Sequence, residues 1–384
     1  MIGLAVALGV GRFAFTPLLP LMLADGSIGL KAGSWLASAN YAGYFVGAVS
    51  CAALRVAPAR MVRFGLAATV LLTAAMGVGH LLPVWLAVRF VAGVVSAWTF
   101  VFVSQWGLRR LAELHAPEWS GVIYAGPGVG IVLTGLIGSA LAGQRAAWGW
   151  LGFAALSAVL SVAIWRTFGG TSAPGLPSSG GAPRAPAAAA PAATPRHRAD
   201  AMSLVVLYAM PGFGYIITAT FLPVIARAAL PAGSPWPDLF WPMFGAALTV
   251  GAIAAARLPA HWDNRLLLAG GCVTQALGIA AGIVWPNAAG FSLGSVLLGL
   301  PFTAITLFAM REARRLHGER AAGLMGYATA SYGVGQIAGP LVAAPLVAQS
   351  GSFTPVLWIA AASLVAGAAG FAMRASRGRR WSPD

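Results

Sequence analysis

The stretch Gly9-Val-Gly-Arg-Phe-Ala-Phe-Thr-Pro-Leu-Leu-Pro20 puts one arginine, Arg12, in the middle of an apolar run long enough to cross a membrane. A guanidinium stays ionised and offers a planar fork of donors suited to a carboxylate or a phosphate. At mid-membrane depth such a charge is costly, and by default it marks a functional site. All nine Asp and Glu residues lie in loops, tails or the ends of apolar runs. Asp25, the nearest in sequence, is about 20 Å away along a helix axis. Two uses of Arg12 follow. Either it faces a water-filled cavity and binds an anionic group of a solute, or it bonds backbone carbonyls, such as those of Phe13 or Thr16, left free by Pro17 and Pro20. The first is the favoured reading, with Thr16 as a companion contact.

Other polar groups sit in apolar runs. Arg89 lies about two turns into the fourth run from its outer end, where it either serves substrate or proton coupling or snorkels outward. Asn40, Tyr41 and Tyr44 form a polar-aromatic cluster in the second run, with Asn40 and Tyr44 at i,i+4 on one face. Tyr124, Tyr215, Tyr327, Tyr332 and Gln336 are further polar tips, and Trp98 and Gln105 share a face of the fourth run. Polar side chains in such runs more often join helix to helix than bind a ligand. The substrate-binding candidates are Arg12, Thr16, Asn40, Tyr41, Tyr44, Tyr124, Tyr215, Tyr327 and Gln336. With no acid inside a run, proton coupling would use Asp25, Asp238, His80 or the carboxylate of the solute itself. The motifs of hydrolases, metalloproteases and nucleotide-binding loops are missing, and the five histidines lack metal-ligand spacing. No enzyme activity, cofactor or metal is expected.

The elements that must position these residues are helices in lipid. Of 384 residues 59% are hydrophobic and only 9% charged, far below the quarter a soluble surface needs. Apolar runs occur at 1–24, 33–54, 61–80, 83–107, 119–142 and 147–168, and again at 202–226, 237–257, 265–285, 288–310, 321–347 and 353–374. Twelve spans consume the chain and leave no soluble domain. Residues 1–23 lack a basic leader and carry Arg12 and two prolines, so they read as a retained first helix; the true start is either Met1 or upstream of it. Cys51 and Cys272 fall inside spans, and no disulfide is expected. The net charge of +15 sits in short clusters between spans, not in a stripe with interleaved aromatics, which excludes a nucleic-acid binder.

Nineteen of the 24 Lys and Arg residues fall on one side when the N-terminus is placed in the cytoplasm, which orients both termini inward. Trp35, Trp85, Trp148, Trp150, Trp236, Trp241 and Trp285 read as an outer aromatic belt, and Trp106, Trp119 and Trp165 as an inner one. Residues 169–200, with six prolines and five glycines, read as a disordered cytoplasmic linker. It joins six-helix bundles at 1–168 and 201–375, and 376–384 is a basic tail.

The two bundles repeat each other. Gly9-x-Gly11 and Leu19-Pro20 return as Gly212-x-Gly214 and Leu222-Pro223, with Tyr215 in the place of Arg12. Gly47-Ala48 matches Gly251-Ala252, Leu114-His115 matches Leu316-His317, and Gly128-Val-Gly130 matches Gly333-Val-Gly335. An offset of 202 to 205 held at four places marks two halves of like orientation.

This pattern resembles the major facilitator superfamily. The opening GVGRFAFTPLLPLM and the following SWLASANYAGYFVGA are similar to its YbfB-type branch. Arg89 and Gly93 match the arginine-x-x-x-glycine pattern of the fourth helix, and Gly126-Pro127-Gly128-Val-Gly130 matches part of a fifth-helix motif found in exporters. The loop at Leu54–Arg60 lacks the family's acid, which Asp263-Asn-Arg265 partly preserves in the second half. The resemblance implies an all-α fold of twelve helices in two pseudo-symmetric bundles that rock about a central cavity. It also implies coupling or gating roles for Arg89, Gly126, Pro127, Gly130 and Asp263. The expected protein is a monomeric secondary transporter of a bacterial inner membrane, moving a small organic solute, with an organic anion favoured and protons as the candidate coupling ion. The alternatives are a proton-coupled exporter of drugs or amphipathic metabolites and, more distantly, a membrane enzyme or sensor.

Overall fold

The computed structural model describes residues 1–116, 119–168, 195–259, 261–318 and 321–379. Twelve long helices run through them: Ile2–Ala24 (α1), Leu30–Ser50 (α2), Pro58–Val78 (α3), Leu82–Glu113 (α4), Ser120–Ala140 (α5), Ala146–Phe168 (α6), Pro195–Ala229 (α7), Trp236–Ala256 (α8), Asn264–Val284 (α9), Ala288–His317 (α10), Ala321–Ser350 (α11) and Thr354–Arg379 (α12). Eleven are long and apolar enough to cross a membrane. The exception, α2, is diluted by Ser34, Ser38, Asn40, Tyr41 and Tyr44, all but the last fully buried. Its polarity faces inward, toward protein.

Within the first six helices α4 packs on α2 and α3, and α3 on α6; within the second, α7 packs on α11 and α12, and α9 on α10 and α12. The halves meet along α5–α8, α2–α11 and α1–α7. Small residues let these backbones approach, since lipid offers no hydrophobic drive and close contact must supply the attraction. Gly128 of α5 lies against Gly245 and Thr249 of α8, and Gly135 against Pro242. Gly9 of α1 and Gly130 of α5 meet face to face, so that a Cβ on either would fall on the other's backbone.

The central helix is α1, which is almost wholly enclosed by protein. It is irregular where it matters. Residues Ala5–Val10 are wound as a π-helix, with Gly11 N donating to Val6 O at 2.9 Å and Phe13 N to Leu8 O at 3.0 Å. Pro17 has no N–H to give, and Thr16 N turns back to Phe13 O at 3.2 Å. The carbonyl of Arg12 is therefore left without a helical donor. Single-turn π segments of this kind recur at functional sites.

Several boundaries differ from the sequence reading. Helix α4 runs to Glu113 rather than 107, and α10 to His317 rather than 310, because ion pairs at i,i+3 and i,i+4 (Arg109–Glu113, Arg110–Glu113, Glu312–Arg315) support turns beyond the apolar run. Helix α7 begins at Pro195, so the last six residues assigned to the linker are helical, Pro being well suited to a helix start; residues 169–194 lie outside the described residues. The tail is likewise helical to Arg379, and 380–384 lie outside them. Trp85, Trp150 and Trp241 do not belong to the outer belt. All three are buried within the helix packing, whereas Trp35, Trp148, Trp236 and Trp285 are exposed as expected.

A buried arginine cluster between the two halves

Arg12 projects from the irregular turn of α1 to the plane where the halves meet. It is only 6% exposed. Its Nη2 donates to Oε1 of Gln336 on α11 at 2.9 Å, and its guanidinium carbon lies 3.9 Å from the Tyr44 ring centroid. Tyr41 and Phe13 stand farther off, at 5.3 and 5.4 Å. Cation–π attraction to these rings replaces part of the hydration lost on burial. Arg12 Nε has no hydrogen-bond partner.

Because arginine can only donate, the Gln336 amide must turn its oxygen to Arg12 and its nitrogen away. That nitrogen donates to the hydroxyl of Tyr215 on α7. Tyr215 in turn stacks at 5.8 Å on Tyr332, which stacks at 4.7 Å on Tyr208. Phe302 closes the cluster, edge-on to Tyr215 at 4.9 Å and to Phe13 at 6.0 Å.

Arg89 of α4 is 2% exposed and does not snorkel. Its Nη2 donates to the Arg12 carbonyl at 3.3 Å and its Nε, at a long 3.5 Å, to the Leu36 carbonyl, while Phe15 lies 4.9 Å from its guanidinium carbon. The carbonyl orphaned by Pro17 thus receives Arg89, the structural role that the sequence had offered to Arg12. Asn40 Nδ2 donates to the Arg89 carbonyl at 2.9 Å, tying α2 to the same point. Among the described residues, no ion pair reaches Arg12 or Arg89.

Two more candidates join the halves. Thr16 Oγ1 donates to Ala219 O at 3.0 Å, and the Tyr41 and Thr220 hydroxyls share a hydrogen bond at 2.8 Å. With Ser38 Oγ to Ile337 O at 3.0 Å and the Arg12–Gln336 bond, every side-chain hydrogen bond between the halves among the described residues lies near mid-depth.

Two candidates are not brought to this cluster. Tyr327 is 71% exposed, because five residues turn a helix through more than a third of a circle and it is Tyr332 that faces in. Tyr124 packs at 6.2 Å on Phe100 in a separate apolar cluster with Leu66 and Phe102. Gln105 is exposed, and Trp98 Nε1 is engaged by Ser50 at 2.9 Å.

The gating candidates divide. Gly126 abuts the backbone of Met1 and Ala5, and Gly130 that of Gly9, so both pack α5 on α1; α5 is interrupted at Ala125, and buried Pro127 sits in the first turn of its segment Gly126–Ala140. Asp263 caps α9, accepting from Arg265 N at 2.9 Å and pairing with its guanidinium at 2.9 Å. Arg265 reaches the Arg374 carbonyl at 2.9 Å, and Glu312, 2% exposed, pairs with Arg315 at 2.7 Å. The sequence reading missed Glu312, Tyr208, Thr220 and Thr306; the Glu312-x-x-Arg315 spacing was the one available signal. Among the described residues, no three His, Cys, Asp or Glu side chains gather where they could hold a metal ion.

A sequence profile of the family described as "Uncharacterised MFS-type transporter YbfB" matches residues 4–371. No curated protein matches. Among solved structures, a point mutant of the nucleoside transporter NupG superposes with a TM-score of 0.68 at 15% identity, over 97% of this chain and 99% of that one. At that identity the likeness establishes the fold, not the solute. Twelve helices in two repeated halves, a buried polar cluster between them and a profile match over nearly the whole length converge on one conclusion. The chain belongs to the YbfB-type family of major facilitator transporters, multi-pass membrane proteins that move small molecules.

Proposed function

We propose that this transporter carries small organic anions by alternating access across a bacterial inner membrane, with both termini in the cytoplasm. One observation carries the reading: Arg12 is buried about midway along α1, has no carboxylate partner among the described residues and keeps an unpartnered Nε. Two buried cations, Arg12 and Arg89, raise the local potential where a solute would sit, and an anion relieves it.

Gln336 acts as the placeholder. Its neutral amide oxygen satisfies one donor of Arg12 when the halves are joined. A carboxylate adds opposite charge to the hydrogen bond and offers a second oxygen to Nε, the bidentate pairing that suits a guanidinium. The anion therefore displaces Gln336, loosens one of the four side-chain hydrogen bonds between the halves among the described residues and favours their separation. Arg89 fixes the α1 backbone so that Arg12 keeps its aim. Protons are the candidate coupling ion, entering on the solute's own carboxylate, and a monomer suffices for the cycle. Thermal stabilisation of the purified protein across anionic, neutral and cationic solutes tests the reading. Anions alone must raise the melting temperature, in proportion to affinity and concentration. Stabilisation by cations or neutral amphiphiles instead would sink it and favour the exporter alternative, which rests on the Gly126-Pro127 motif.

A further inference from the structure

The two halves bring different chemistry to the cluster. The first half supplies both mid-depth cations, Arg12 and Arg89. Among the described residues the second supplies no buried charge there, its one buried charged residue being Glu312 at the far end of α10. What it offers instead is a run of rings: Tyr208, Tyr332 and Tyr215 in near-parallel stacks at interplanar angles of 30° and 19°, with Phe302 edge-on at 78°. The Tyr208 hydroxyl is engaged by Thr306 at 3.1 Å, and the Tyr215 hydroxyl, which accepts from Gln336, is freed to donate to a carboxylate that takes the amide's place; beyond that, the cluster offers a solute ring faces and edges.

Resting on the anion reading, we propose that the solute is a planar aromatic carboxylate, its carboxylate on Arg12 and its ring against Tyr215, Phe302 and Tyr332. The geometry sets the order of parts. Gln336 spans the gap between Arg12 and Tyr215, so a carboxylate in its place leaves the rest of the solute directed at the rings. Offset and edge-to-face ring contacts favour a flat π-system over a saturated ring of similar size, because a saturated ring has no quadrupole to set against theirs. A free phosphate or a short aliphatic acid would satisfy Arg12 and leave the rings unused.

Equilibrium binding of three matched probes to the full-length protein in detergent tests this. Benzoate carries charge and a flat ring, cyclohexanecarboxylate charge and a puckered ring, and benzamide a flat ring without charge. Benzoate is expected to bind about tenfold more tightly than cyclohexanecarboxylate, with benzamide weakest. Equal binding of the two carboxylates, with benzamide weak, overturns the aromatic inference while the anion reading stands. Benzamide binding as well as benzoate overturns the anion reading and this inference with it. Phe302→Leu keeps the volume roughly constant and is expected to bring the benzoate preference close to unity while cyclohexanecarboxylate affinity holds; an undiminished preference in the folded variant contradicts the assignment of the ring site.

Discussion

Arg12 and Tyr215, which occupy equivalent positions 203 residues apart in the two halves, bond to opposite ends of a single amide, Gln336. The repeat folds its two copies about a common centre, so equivalent residues converge there. Having diverged, one is a cation and the other an aromatic alcohol. A neutral amide serves both, accepting from the first through its oxygen and donating to the second through its nitrogen.

That relationship makes Gln336→Glu informative. A carboxylate at this position pairs with Arg12 directly and competes with any anionic solute. The variant is expected to be at least as thermally stable as wild type and to lose anion binding by about a hundredfold, as for other truncated or blocked charge pairs worth ~3 kcal/mol. Unchanged anion affinity in a folded Gln336→Glu would remove the placeholder role.

Arg12→Lys keeps the charge and loses the planar fork. It is expected to retain selectivity for anions over neutral solutes with affinity lowered about tenfold, since Lys presents a point charge rather than two parallel donors. Full affinity in the lysine variant would show that the fork geometry is irrelevant.

Arg89 acts on backbone rather than solute. Arg89→Met leaves the Arg12 carbonyl without its donor, and a buried orphan of this kind costs about 1–3 kcal/mol. The expected result is a clearly lowered melting temperature with the order of solute preferences intact. A variant of normal stability that reverses those preferences would assign Arg89 to the solute instead.

Gly130→Val tests the α1–α5 crossing. A Cβ there falls on Ala5 O and the Gly9 backbone, which no rotamer relieves, so α1 must shift. Overpacking of this kind costs about 1–3 kcal/mol and is expected to lower stability together with anion binding, because α1 carries Arg12. Gly270→Val, where a Cβ meets nothing within 4 Å, serves as the control.

The acid side of the stability profile should depend on Asp263. Burial pushes its carboxyl up, but the Arg265 side chain and backbone N–H and the Arg315 charge together outweigh this and hold it below the ordinary 3.8. A carboxylate depressed in the folded protein stabilises above its unfolded value and loses that contribution as pH falls through the folded one. Asp263→Asn should therefore melt below wild type at neutral pH, with the gap closing as pH drops below 3.8. A gap that persists unchanged into acid would place the role of Asp263 in its cap alone.

Much of this was legible in the sequence. The long apolar helices and the place of Arg12 midway along the first follow from counting apolar residues, because lipid imposes span length, and the internal repeat follows from the near-constant offset of its glycine motifs. Which tyrosine of α11 faces inward was not. In a soluble helix a polar face marks the outside, but in lipid both faces are apolar and Tyr327 and Tyr332 look alike. The exchange of roles between Arg12 and Arg89 was hidden for a different reason. It depends on a carbonyl freed in α1 meeting a side chain of α4, a contact across 77 residues that no local pattern encodes.

The most direct test of the central claim is uptake of a radiolabelled organic anion, such as benzoate, into proteoliposomes containing wild type or Arg12→Gln at matched, verified incorporation. The account predicts saturable uptake by wild type that disappears in the folded glutamine variant. Equal saturable uptake by both proteins would contradict it and return Arg12 to a purely structural role.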